Sequence, residues 1–205
     1  MNPNWAEENL QTIRTLMERS ALYRRALAPI MMLAGYLGII MAAAGLAFHI
    51  DWYLSFYFVW ISTAVLAVLG SLFLARRQAL RDKEIFWSPP TRRAVQALTP
   101  PLLAGFSLGT LPFLQPARND SAFWAALIWI LFYGCALHAA GFFMPRGIKY
   151  LGWVFIFGAC CGFYGKFAGC LSSVNAYWLM GLFFGALHLA YGLYLFFTEK
   201  KTPVT

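Results

Sequence analysis

Six long apolar stretches, parted by shorter polar segments, set the pattern of this chain. They run over approximately 27–48, 53–75, 95–115, 122–144, 150–170 and 176–197. Each is long enough to cross a hydrocarbon core of about 30 Å. Inside lipid every backbone polar group must find its partner within the segment, so open spans of this kind are helices. The pattern predicts an all-α, polytopic membrane helical bundle with six transmembrane helices. Residues 1–26 form a polar leading segment and 198–205 a polar tail. The chain from Ala26 onward reads as a retained first span and not as a cleaved leader.

The leading segment has its own period. In 5–25, Leu10, Ile13, Leu16, Met17 and Ala21 recur at spacings of three and four, opposite Glu7, Glu8, Arg14 and Glu18. This predicts an amphipathic helix, with Trp5 at its start, lying on the inner membrane surface or docking a cytoplasmic protein. Between spans, "HIDW" is short enough to make the first two an antiparallel hairpin. The longest connection, 76–94, extends span two through Arg76 and beyond. Pro89 and Pro90 are then expected to break the helix, because proline lacks the amide donor and restricts its predecessor. This connection is the second candidate surface for a cytoplasmic partner.

Spans three and five depart from the plain apolar pattern. Span three carries Pro100, Pro101 and Pro112 with Gly105 and Gly109, which predicts a kinked helix, either packed against neighbours or lining a pathway. Span five carries Gly158-xxx-Gly162 and Gly165-xxx-Gly169, which predicts a tightly packed central helix.

Composition agrees with the pattern. Of 205 residues 60% are hydrophobic and 12% charged, and mean hydropathy is +0.61. Soluble domains are about 45–50% apolar and about 25% charged. The net charge of +8 is a matter of position. Arg14, Arg19, Arg24, Arg25, Arg76, Arg77, Arg81, Lys83, Arg92, Arg93, Arg146, Lys149, Lys200 and Lys201 all fall on one side of a six-span chain. Arg118 and Lys166 fall on the other. By the positive-inside rule both termini are cytoplasmic. The same residues would favour anionic lipid or a cytoplasmic partner. Nucleic acid is not an expected partner, since no soluble module is present to bind it. Cys135, Cys160 and Cys161 lie within spans and Cys170 near the outer end, without metal or disulfide spacing.

Candidate chemistry centres on a repeated tripeptide. "FYGCALHAAGFF" in span four and "FFGALHLAYGLY" in span six each hold one histidine, His138 and His188. Ionisable groups inside spans are functional candidates by default. Gly134, His138 and Gly141 share one helical face, as do Gly181, Gly185, His188 and Gly192, so both histidines face helix neighbours. At 1.5 Å per residue they lie roughly 10 and 14 Å from the inner ends of their spans. Three readings stay open: structural hydrogen bonding to Tyr133, Tyr164 or Tyr191, a polar-ligand or proton site, or ligation of one haem iron by both rings. The candidate intramembrane polar site is thus His138, His188, Tyr133 and Tyr191. A second, outer polar cluster comprises His49, Asp51, Arg118, Asp120, Lys166 and Asn175, in which Lys166 snorkels to the interface or pairs with an acid. No phosphate loop, H-E-x-x-H, G-x-S-x-G or intramembrane carboxylate pair occurs, so no catalytic or metal residue is assigned.

The N-terminal "LQTIRTLMERS", with the later "FYGCALHAAG" and "GALHLAYGLY", resembles a group of bacterial multi-pass inner-membrane proteins that open with an L-x-x-I-R-x-L-M-E-R-S helix. The resemblance implies the bacterial inner membrane and brings no activity with it. The expectation is a non-enzymatic regulatory, sensory or accessory protein. The alternatives are a small-solute channel or transporter, or a haem-binding redox protein. Self-association into a homo-oligomer is a further expectation.

Overall fold

The computed structural model describes residues 26–50, 52–83, 86–114 and 120–198. The expected amphipathic helix, Asp51, Arg118 and the tail beyond residue 198 lie outside them. Among the described residues there are six helices and no strand. They are α1 (Ala26–Ala47), α2 (Tyr53–Arg81), α3 (Pro89–Thr110), α4 (Ser121–Ala140), α5 (Arg146–Phe167) and α6 (Ala176–Thr198). A 3-10 turn, Leu111–Leu114, continues α3, and α6 is π-helical over Gly181–Leu187. All six are long and apolar enough to cross a membrane.

Helix α3 corrects one expectation. Pro89 and Pro90 do not end a helix; they begin one, with Ser88 extended at the N-cap position. The first-turn amides of a helix have no intrahelical acceptor, so proline loses nothing there and its fixed φ suits the turn. The Thr91 hydroxyl holds the entry by donating to Phe86 O at 3.2 Å and bonding Ser88 Oγ at 2.9 Å. Pro100 and Pro101 then sit inside the helix, which runs through them to Thr110.

The most enclosed helix is α4 and not, as the paired glycines suggested, α5. Ala125, Ala126, Leu127, Ile130, Ala136 and Ala140 of α4 have no exposed surface. It packs along α3 on one flank and α5 on the other, and touches α6 and α2. The α5 glycines serve several neighbours instead of one seam. Gly158 meets Phe183, Gly162 meets Leu127, and Gly165 meets Leu171. Gly169, at φ +79°, turns the chain after the helix. The close backbone approach of α5 is at Gly152, where an added Cβ would lie 2.8 Å from Gly134 O and 2.6 Å from His138 N.

A second close seam joins α1 and α6, which run antiparallel. Gly35 lies against Leu189, Gly38 against Phe184 and Gly185, Ala42 against Gly181, Gly45 against Tyr177, and Gly192 against Met32. Small residues on both helices let the backbones meet. The remaining helix, α2, is as little enclosed as α3. It meets α4 and the Leu111–Leu114 turn near its first residues, meets Leu33 of α1 through Gly70, and hardly touches α3. A wedge of space therefore opens between α2 and α3.

Candidate functional site: a buried Tyr–His pair above an apolar cavity

The local structure of α6 decides where His188 points. A π-helical turn carries more residues than an α turn, and such turns inside α-helices are often found at functional sites. Here the π segment ends at Leu187, and His188 opens the following α-helical stretch. The side chain bends back so that Nδ1 lies 3.0 Å from Phe183 O, five residues earlier. A carbonyl only accepts, so Nδ1 donates. In a neutral ring that leaves Nε2 as acceptor, and the Tyr133 hydroxyl, 2.8 Å away on α4, donates to it. Both ring nitrogens are satisfied in a residue that is 1% exposed.

Aromatic rings enclose the pair. Phe155 of α5 meets the His188 ring edge to face at 5.4 Å, and Phe184 stacks on it at 6.0 Å. Phe184 also meets Tyr133 at 5.0 Å and Trp60 of α2 at 6.4 Å. Phe184 is thus the common neighbour of Trp60, Tyr133 and His188. Edge-to-face and offset arrangements suit the ring quadrupoles and hold these side chains in fixed orientations.

Beside the pair is a cavity of about 320 Å³. Five helices wall it: α1 through Met31 and Ala34, α2 through Trp60, Thr63 and Ala67, α3 through Leu102 and Phe106, α4 through Phe132 and Tyr133, and α6 through Phe184 and His188. Among the described residues no Asp, Glu, Lys or Arg lines it. Ala64, Val68, Leu102 and Phe106 line the cavity and are also exposed on the outside of the bundle. The cavity therefore reaches the surface sideways, through the wedge between α2 and α3. One wall residue is chemically incomplete: Trp60 is 4% exposed and its Nε1 has no hydrogen-bond partner. An unsatisfied buried donor costs about 1–3 kcal/mol.

The other predicted residues separate. His138 belongs to the α4–α5 contact, with its ring edge to face on Trp153 at 4.9 Å and on Phe142 at 5.5 Å, and its buried Nδ1 without a partner. It makes no ring contact with His188. Tyr191 lies over Gly147 at the start of α5 and stacks with Tyr194. Of the four intramembrane candidates, then, only Tyr133 and His188 come together. A bis-histidine haem site does not fit: both His188 nitrogens are engaged, by Tyr133 and by Phe183 O, and the His138 ring is packed on Trp153 and Phe142. No group of three or more potential metal ligands occurs among the described residues.

The outer candidates divide likewise. Lys166 pairs with Asp120 at 2.9 Å and lies 4.7 Å over the Phe123 ring, with a side chain only 7% exposed. It bridges α5 to the start of α4, the pairing with an acid that the sequence offered as one of two readings. Asn175 caps α6, its Oδ1 accepting from Tyr177 N at 2.9 Å. His49 is exposed, at φ 48° in the turn after α1.

Sequence reasoning missed Trp60 and the π turn. A tryptophan in an apolar span carries no mark of burial, and nothing in "GLFFGAL" distinguishes π from α periodicity. No protein-family model, curated protein or solved structure matches the chain.

Proposed function

We propose that this chain is a multi-pass membrane protein of regulatory, sensory or accessory type, without catalysis of its own, that takes a hydrophobic small molecule from the bilayer. The observation that carries this reading is the apolar cavity open sideways between α2 and α3 and closed by the Tyr133–His188 pair. Ligand pockets span about 300–1,000 Å³, are mostly apolar, and hold a few fixed polar groups. A lateral mouth places the entrance where a bilayer-dissolved molecule travels. We place the basic helix ends and both termini in the cytoplasm on the charge pattern, and the chain in a bacterial inner membrane on the resemblance of its sequence. There 5–25 and 76–94 would relay occupancy to a protein partner. The test is native mass spectrometry of the detergent-purified chain. The wild type should retain a hydrophobic molecule that Ala67→Phe, which fills the cavity, loses; equal retention by both would sink the reading.

A second reading, a small-solute transporter, draws on Pro100 and Pro101 just before the wall residues Leu102 and Phe106. Interrupted helices line many transport sites. Solute flux in reconstituted vesicles, lost in Ala67→Phe, would favour it over the first.

A further inference from the structure

We infer that the cavity takes the methyl end of one straight acyl chain of a membrane lipid, whose head stays outside in the bilayer interface. This inference rests on the ligand-pocket reading above and names its guest.

The shape of the space suits one chain. The α2 wall runs from Trp60 to Ser71, about 16 Å of helix. The α1 wall, Ile30 to Gly38, and the α6 wall, Met180 to His188, each run about 12 Å. Spread along such a length, about 320 Å³ leaves a section of about 20–27 Å². That is the section of a single extended hydrocarbon chain and too narrow for two. A methylene takes about the room of a water, about 30 Å³, so the space holds about ten chain carbons.

The wall offers a lipid head little to bind. Among the described residues no charged side chain lines it, so a phosphate or carboxylate inside would be a buried, unpaired charge. The Thr63 hydroxyl donates to Val59 O at 2.6 Å. The Tyr133 hydroxyl donates to His188, and His188 donates to Phe183 O. Trp60 Nε1 is buried within the wall, out of a guest's reach. Ser71 adds one hydroxyl, at the limit of the α2 wall nearest Arg76. A hydrocarbon segment needs no such partner and gains dispersion contact with the wall.

Depth fixes which end enters. The mouth residues Ala64 and Val68 lie about 16 and 22 Å along α2 from Tyr53, and about 18 and 12 Å before Arg76. The mouth is therefore near mid-membrane, where acyl chains end in methyl groups and polar heads are absent. A lipid standing in its leaflet meets the opening with its tail tip while its head keeps its place at the surface.

The experiment places the full-length chain in phosphatidylcholine vesicles doped with photoactivatable lipids. One probe carries a diazirine at the methyl end of an acyl chain, and a second carries it beside the ester. A third repeats the first with a phosphatidylglycerol head. Labelling is mapped by peptide mass spectrometry at Met31, Thr63 and Met180, which line the cavity and are buried from outside. The tail-end probe should label them, and the ester-side probe about fivefold less or weaker, since the ester would enter without a partner. The phosphatidylglycerol probe should match its choline counterpart. Ala67→Phe, which fills the cavity, and Ala64→Phe, which closes the mouth, should each remove the tail-end label. Thermal unfolding confirms that both variants fold, and the comparison of probes on the wild type depends on neither. Equal labelling by the tail-end and ester-side probes, or a clear dependence on the head, overturns the tail-first inference and leaves the pocket standing. Absence of tail-end labelling in the wild type, or its persistence in both folded variants, overturns the pocket reading as well.

Discussion

At the scale of residues, the Tyr133–His188 hydrogen bond is worth most for what its absence would leave behind. Tyr133→Phe keeps the ring among Phe155 and Phe184 and removes only the hydroxyl. His188 Nε2 then has no donor in a nearly closed site, at about 1–3 kcal/mol. For a chain of this length each kcal/mol corresponds to about 2–4 °C, so the unfolding midpoint should fall by about 2–12 °C. Adding His188→Leu removes the orphaned acceptor as well. The double variant should therefore be less destabilised than the sum of the singles, with a coupling of about 1 kcal/mol or more in a double-mutant cycle. Strict additivity would show that the 2.8 Å contact contributes nothing. The repeated Ala-Leu-His marked His188 and, by helical spacing, its inward face. The sequence did not reveal that His138 meets α5 while His188 meets Tyr133, because that depends on which helix covers each face.

At the scale of elements, the glycines that α1 packs with or carries separate into rigid and yielding contacts, Gly38 at the α1–α6 seam and Gly70 on α2 facing α1. A Cβ at Gly38 would lie 2.5 Å from Phe184 O and 2.8 Å from Gly185 N, both backbone atoms that move only if the helices part. Gly38→Ala should cost about 1–3 kcal/mol, seen as a lower midpoint in thermal unfolding. A Cβ at Gly70 would meet a terminal methyl of Leu33, which has other rotamers, so Gly70→Ala should change the midpoint little. Comparable losses at both positions would refute a backbone-limited α1–α6 seam. The π turn invites a different test. It bonds over five residues where α-helix bonds over four, so deleting the exposed Ala186 can be absorbed by a return to α geometry. Expression and monodispersity should survive that deletion, whereas deleting Leu131 from the α-helical α4 should abolish both. The six helices were readable as hydropathy alone. Their starts and internal register were not: Pro89 reads as a breaker until its place at the first turn is seen, and the extra π residue leaves no mark in composition.

At the scale of the whole molecule, alternating helix directions gather Arg76, Arg77, Arg81, Arg92, Arg93, Arg146 and Lys149 at one end of the bundle. The Lys166–Asp120 bridge, His49 and Cys170 share the other. Moving the basic end across lipid would require desolvating many cations, which is the physical basis for expecting it in the cytoplasm. The native cysteines allow a direct check. Cys160 and Cys161 are exposed on the flank of α5, where in a bilayer they face hydrocarbon out of reach of a water-soluble reagent, whereas Cys170 follows the end of that helix. A membrane-impermeant maleimide should label intact cells through Cys170, and Cys170→Ser should abolish the signal. In that background His49→Cys should restore labelling of intact cells, and Thr198→Cys should label only after the cells are opened. The reverse pattern would invert the orientation while leaving the bundle and its lateral mouth as they are, because neither depends on which end faces the cytoplasm.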